Sequence, residues 1–152
     1  MLSTLSKIFS GCLILLSVTI QAADGELQEA SDLRSLAQEH PNEVFVLMVS
    51  QDHCAFCVTV KEDFLKPLIK ADNAPPVRII NLSAGKGIID FKGQERNADS
   101  LARELGGRFT PTLLFVDGQG RTVSKKIVGL NTPEYYGFYI DKAIEEGRGR
   151  LN

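Results

Sequence analysis

Tryptophan is absent from this 152-residue chain, histidine occurs twice and cysteine three times. So few cysteines exclude a fold stapled by several disulfides. A structural zinc site goes with it, because four ligands are wanted and a second cysteine pair is missing. No long basic run and no interleaving of basic with aromatic residues occurs, which argues against nucleic acid as a partner. Internal repeats and low-complexity segments are lacking as well. What remains is ordinary core material: 43% hydrophobic residues, with 17 basic side chains against 19 acidic ones. That composition and length suit one globular domain with a real core.

No apolar run reaches the roughly 20 residues that a membrane-spanning helix needs. The nearest is Ile8 to Ile20, preceded by Lys7, the only charged side chain before Asp24. Gln21-Ala22-Ala23 then supplies small residues for cleavage. The pattern predicts a removed signal peptide over residues 1–22 and a single domain over 23–152. Cys12 precedes most of the hydrophobic run, whereas an acylated lipoprotein cysteine should follow it. Cleavage takes Cys12 away and leaves Cys54 and Cys57 alone. Exported domains usually use cysteines as staples, yet here both sulfurs are committed to one local ring. That argues for a working disulfide.

The two cysteines stand in Ser50-Gln51-Asp52-His53-Cys54-Ala55-Phe56-Cys57. Val44 to Val49 before them reads as a strand without polar alternation, as expected when both faces are covered. Val58 to Lys70 after them reads as a helix, with Cys57, Val60, Phe64 and Leu68 on one side and Pro67 kinking or ending it. Cys54 therefore lies at a strand-to-helix junction. Free N–H groups and the positive end of the helix dipole favour a thiolate there, and Cys57 is one turn away. The chemistry this permits is dithiol–disulfide exchange.

The rest alternates in the same way. A helix is predicted over Ser31 to His40, stopped by Pro41, and a strand over Val77 to Leu82. The connection over residues 83–96 is long, and Ile88-Ile89-Asp90-Phe91 within it suits a short strand. Asn97 caps a helix with Ala98, Leu101, Ala102 and Leu105 inward and Gly106 as its left-handed stop. Leu113 to Val116 is a strand, turned by Asp117-Gly118-Gln119-Gly120 into a partner around Thr122 to Val128, with Lys125 and Lys126 suiting an edge. Thr132-Pro133-Glu134 opens a last helix to about Gly147, with a capping hydroxyl and with Tyr136, Tyr139, Ile140 and Ala143 inward.

Three features in order give this chain a family resemblance: Cys54-Ala55-Phe56-Cys57 between strand and helix, Phe109-Thr110-Pro111-Thr112 opening a strand, and Val128-Gly129-Leu130 before the last helix. Over about residues 31–147 it resembles thioredoxin-fold proteins, and among them the exported bacterial proteins of the SoxW type, which Ile89-Asp90-Phe91-Lys92-Gly93 also fits. The resemblance implies an α/β thioredoxin fold, a central mixed β-sheet flanked by helices, with the CxxC motif at the N-terminus of a helix. It also implies a periplasmic location and a cis Pro111 beside the sulfurs. Thr110 before it would offer backbone groups to an extended substrate segment, its hydroxyl within reach of the cysteine pair. Phe56, Phe109, Thr110 and Pro111 are the substrate-binding candidates, and Cys54, Cys57 and His53 the catalytic ones. No metal or separate cofactor is expected beyond the redox-active Cys54–Cys57 disulfide.

The chain also departs from the family. His53 stands where a tryptophan usually precedes the first cysteine, and Ala55-Phe56 replaces Gly-Pro. Met48 occupies the position of a buried acid that many thioredoxins use for proton uptake, so proton transfer falls to His53, Asp52 or water. The oxidase type in this fold carries a helical insertion and the isomerases a preceding dimerisation domain; neither finds room here. The expected function is therefore reduction of disulfides in exported proteins, with electrons from a membrane thiol-reducing system. The alternatives are a disulfide oxidase, a non-enzymatic adaptor, or Cu(I) delivery by Cys54 and Cys57 with His53 or Met48. Haem attachment is excluded, since Val58 stands where histidine would follow Cys57.

Overall fold

Strand β1, Phe45–Ser50, has every residue buried, which is what its unbroken apolar sequence requires. The computed structural model describes residues 25–152; the signal peptide expected over residues 1–22, with Cys12, lies outside the described residues. β1 pairs in parallel with β2 (Val77–Asn81) and antiparallel with β5 (Thr112–Val116), which in turn pairs antiparallel with β6 (Ile127–Val128). The result is a mixed sheet in the order β2-β1-β5-β6.

Alternation along this sheet sorts the core into two halves. Val46 and Met48 share a cluster with Cys57, Val60, Leu65, Leu113, Tyr136 and Ile140. Phe45, Leu47 and Val49 face Leu33, Leu36, Leu101 and Ala102. Each fully buried side chain of this size contributes about 1.5–3 kcal/mol by leaving water. The helices on the second face are α1 (Leu33–Glu39), N-capped by Asp32, and α4 (Ala98–Glu104), N-capped by Asn97 as expected. Gly106 follows α4 with φ +91°, the left-handed stop its sequence position predicts.

Both ends of the sheet are abbreviated. At the β2 edge the leading segment adds one ladder step, Ala30 N–H to the Ile79 carbonyl at 2.8 Å and Ile79 N–H to the Gln28 carbonyl at 2.9 Å. At the other edge β6 has only two residues. The strand partner expected over Thr122 to Val128 is thus split: Thr122 makes one bridge to Val116, and pairing resumes at Ile127. Lys125 and Lys126 stand before β6, and Lys126 instead bonds the Gly106 carbonyl at 2.6 Å, helping to hold the end of α4.

The helix after the cysteines differs from the expected regular one. It starts at once, as α2 (Ala55–Thr59), widens into a π-helical stretch over Val60–Leu65, and ends as α3 (Lys66–Leu68). In the wide stretch Lys66 N–H reaches back to the Lys61 carbonyl. Pro67 accounts for the widening, since in a regular helix its ring would press on the carbonyl of Asp63.

The last helix, α5 (Pro133–Leu151), runs past the stop expected at Gly147. Gly147 is there for packing: a Cβ at that position would meet Val44 Cγ2 at 2.9 Å and Val123 Cγ2 at 3.0 Å. Tyr136, Ile140 and Ala143 are buried as expected, whereas Tyr139 is exposed. The Thr132 hydroxyl makes no capping bond; its carbonyl accepts from Tyr135 N–H instead. No helix among the described residues is long and apolar enough to cross a membrane.

The long connection folds as a small hairpin, β3 (Gly87–Ile89) and β4 (Glu95–Asn97), with Phe91 edge-on to Phe45. Asp90, placed at its turn rather than in a strand, accepts from the N–H groups of Lys92 (2.8 Å) and Gln94 (2.9 Å) and from Arg96 (3.4 Å). Asp117 organises the β5 turn likewise, through Gln119, Arg121 N–H and the Arg121 guanidinium. Burial pushes both carboxyls up, but these donors outweigh it and hold both below the ordinary value of 3.8. A depressed folded-state pKa gives stability that is present above 3.8 and is lost as pH falls through the lower folded value. Asp90→Asn should therefore lower stability at neutral pH and flatten its fall below about pH 4, as urea titrations across that range would measure.

Candidate active site

β1 delivers the chain to the site and the sheet register completes it. Val49 pairs with Thr112, so Thr110 and Pro111 leave the sheet beside Ser50 and Gln51, at the end where the cysteines begin. The Thr110–Pro111 bond is cis, as the resemblance implies. Gly129 N–H donates to the Pro111 carbonyl at 2.8 Å, and the Thr112 hydroxyl donates to the Phe109 carbonyl at 2.7 Å. The three sequence features thus meet at one end of the sheet. Thr110 itself, half-buried, has neither backbone group hydrogen-bonded among the described residues.

The turn from β1 to α2 is pinned from beneath. Asp52 N–H donates to the Ser83 hydroxyl at 3.1 Å, and Ser83 N–H to the Asn81 side-chain oxygen at 3.0 Å. The Asn81 amide donates to Glu29 at 2.9 Å and to Asp52 at 3.5 Å. His53 then takes a left-handed φ of +59°, and its side chain is exposed. That backbone turn carries Cys54 onto the helix axis as the N-cap of α2.

Cys54 is half-buried and Cys57 is 1% exposed. They are joined as a disulfide with Cα atoms 5.2 Å apart. Cys57 N–H donates to Cys54 Sγ at 3.2 Å, which is the N-cap bond with sulfur in place of oxygen. The same N–H would stabilise negative charge on Cys54 after reduction, in the field of the helix end. Access and electrostatics therefore both single out Cys54 for attack, with Cys57 facing the core. With the cysteines joined as a disulfide, no hydrogen bond among the described residues links the Thr110 hydroxyl to either sulfur.

Several large apolar side chains near this end of the sheet are exposed. Phe56 is 61% and Phe109 68% exposed, and Val58 and Val128 also stand in solvent. The sequence reading found the two phenylalanines and missed the two valines, although Val58 lies off the inward stripe of its helix. An open depression beside Cys54 is lined by Gln51, Asp52, His53, Ala55, Val58 and Lys61. A more enclosed groove of about 510 Å³, bounded by Leu105, Lys125, Lys126 and Arg150, includes neither sulfur. A shallow, open surface with apolar side chains beside polar ones suits a protein segment better than a small molecule. Among the described residues no three His, Cys, Asp or Glu side chains gather as a metal site.

Residues 30–144 match the family model of a thioredoxin-like domain. No curated protein matches the chain. Several solved structures share its fold. Thioredoxin f from spinach chloroplast (short form) is 16% identical with a TM-score of 0.55, over 85% of this chain and 99% of its own. Thioredoxin from Schistosoma mansoni is 21% identical with a TM-score of 0.53, over 80% and 95%. Thioredoxin f2, in complex with ferredoxin:thioredoxin reductase, is 14% identical with a TM-score of 0.53, over 78% and 96%. At these identities the likeness establishes the fold.

Proposed function

Starting from the fact that the chain belongs to the thioredoxin-like domain family, we propose that it reduces disulfides in exported proteins of the periplasm. Family membership and the Cys54–Cys57 disulfide at the start of α2 make it a thiol–disulfide oxidoreductase. The finer reading, a reductase of the SoxW type fed by a membrane thiol carrier, is supported by one observation above others. Among the described residues the fold has only the β3–β4 hairpin between β2 and α4, and no helical insertion of the oxidase kind.

Reduction takes two exchanges. The Cys54 thiolate attacks one sulfur of a substrate disulfide, forming a mixed disulfide and releasing the other sulfur as a thiolate that takes up a proton. Cys57 then gives up its proton and attacks Cys54 Sγ, which frees the second substrate thiolate and leaves Cys54–Cys57 oxidised. Two electrons have passed to the substrate, and a donor dithiol returns them by the same steps reversed. Thr110 holds the substrate strand through its unpaired backbone groups, and Phe56 and Phe109 receive its apolar side chains. The Cys57 proton passes to His53, Asp52 or water, because the interior position that could hold an acid is Met48.

Thioredoxin f2 in the solved complex sits with a reductase; for this chain we infer a membrane-embedded donor. Acid-quenched thiol trapping should find Cys54 and Cys57 reduced in cells and oxidised once that thiol-reducing system is deleted. A pair fully oxidised in normal cells, with a potential near about −120 mV against glutathione, would establish an oxidase instead.

A further inference from the structure

The buried polar side chains of this fold are Ser50, Asp90, Thr112, Asp117 and Ser124. Four of them are satisfied: the two aspartates in their turns, Thr112 on the Phe109 carbonyl, and Ser124 on Glu146 at 3.0 Å. Ser50, 0% exposed, has a hydroxyl with no partner among the described residues, and the Tyr136 hydroxyl is the only other such atom there. Buried polar groups in folded proteins are nearly always paired, so an unpaired one calls for a reason.

Its position gives the reason. Val46 and Met48 belong to the cluster that contains Cys57, and Ser50 is the next residue of β1 on that same face. Its neighbour across the ladder, Asn81, is already committed to Glu29, Asp52 and Ser83. In the disulfide, Cys57 Sγ has little call for a hydrogen bond. After reduction the same sulfur is a thiol or thiolate buried in the apolar cluster that also holds Val46, Met48, Val60 and Leu113. A charged or polar group in apolar surroundings needs a donor.

We propose that the Ser50 hydroxyl donates a hydrogen bond to Cys57 Sγ in the reduced protein and is a positioning residue that biases the pair toward the dithiol. The inference rests on the redox reading of Cys54–Cys57 but on neither direction of flow. One bond is unmade in the oxidised state and made in the reduced one, so removing the hydroxyl disfavours reduction twice over.

Ser50→Ala is expected to lower the equilibrium constant for reduction by glutathione about tenfold, a shift of about 30 mV to more negative potential. The oxidised form should unfold at the same or a higher temperature and the reduced form at a lower one, a split that simple loss of packing would not produce. Ser50→Thr, which keeps the hydroxyl, should return the constant to within about threefold of the unaltered protein. Tyr136→Phe removes the other unpaired hydroxyl and should leave the constant where it was. A Ser50→Ala constant within twofold of the unaltered protein overturns the proposal. So does an equal shift in Ser50→Thr or Tyr136→Phe. The absolute potential of the unaltered protein bears on reductase against oxidase; the Ser50 assignment is judged on the ratio alone.

Discussion

Cys57→Ser is expected to accumulate mixed disulfides with substrate proteins, all of them through Cys54, while Cys54→Ser accumulates none. The half-buried Cys54 receives the Cys57 N–H and caps α2, whereas Cys57 is closed into the core. An incoming disulfide can align with the first sulfur and not with the second. Once Cys57 is a serine, the mixed disulfide has no sulfur to resolve it and persists. Both variants should lose essentially all turnover, since each exchange step needs its own thiol. Only the trapped species tells them apart, by non-reducing electrophoresis and mass spectrometry of the captured bond. Equal capture by the two variants would show that either sulfur can be attacked, and the assignment would be wrong.

At Tyr136 two substitutions should act in opposite directions. The ring is buried, stacks at a tilt on Phe64 with centroids 4.9 Å apart, and bridges α5 to the π-helical stretch. Tyr136→Ala should cost about 3–5 kcal/mol, the range for emptying an aromatic site in a core. Tyr136→Phe should instead stabilise the fold by up to about 1 kcal/mol, because the hydroxyl it removes has no partner among the described residues. Burial pushes the phenol from 10.0 up to about 12. A raised pKa gives stability that is intact below 10.0 and is lost as pH climbs through about 12, because the unfolded chain ionises first. The native protein should thus weaken between pH 10 and 12, by at most about 1.4 kcal/mol per pH unit from this group, and Tyr136→Phe should not. Denaturant titrations at pH 9 and pH 11 decide it; an unchanged alkaline slope in Tyr136→Phe would sink the argument.

What could be read from the chain alone was local in its physics. β1 has no polar residue before Ser50, so a doubly covered strand was visible without partners. Asn97 and Gly106 bound α4 with side-chain and backbone chemistry that any isolated segment would carry. The cysteine junction was equally plain. Features that depend on neighbours were not. Pro67 warned of a disturbed helix, but the apolar spacing does not say that the disturbance takes the form of bonds with the fifth residue back. Tyr139 fits the helical spacing of Tyr136 and Ala143 yet falls on the rim of a stripe centred nearer Ile140 and Ile144. Gly147 reads as a stop until Val44 and Val123 are found against it. Nor could sequence reveal that Asn81 and Ser83 hold the turn at Asp52, since those contacts cross about 30 residues of chain. Ser50 opens the cysteine motif, but only its unpaired hydroxyl makes it a candidate for the chemistry.

A thiol–disulfide oxidoreductase touches chains whose strands are not yet paired, and an open sheet beside the reactive sulfur would invite them to stay. Here one flank of the sheet is partly covered by a single ladder step from Gln28 and Ala30, and the other shrinks to two residues. Visiting backbone therefore has little to extend along. On the docking proposed for Thr110, one free donor and one free acceptor give a brief hold and are too few for a lasting one. Release is then timed by the exchange of sulfur bonds, and the encounter ends when the thiols have traded places.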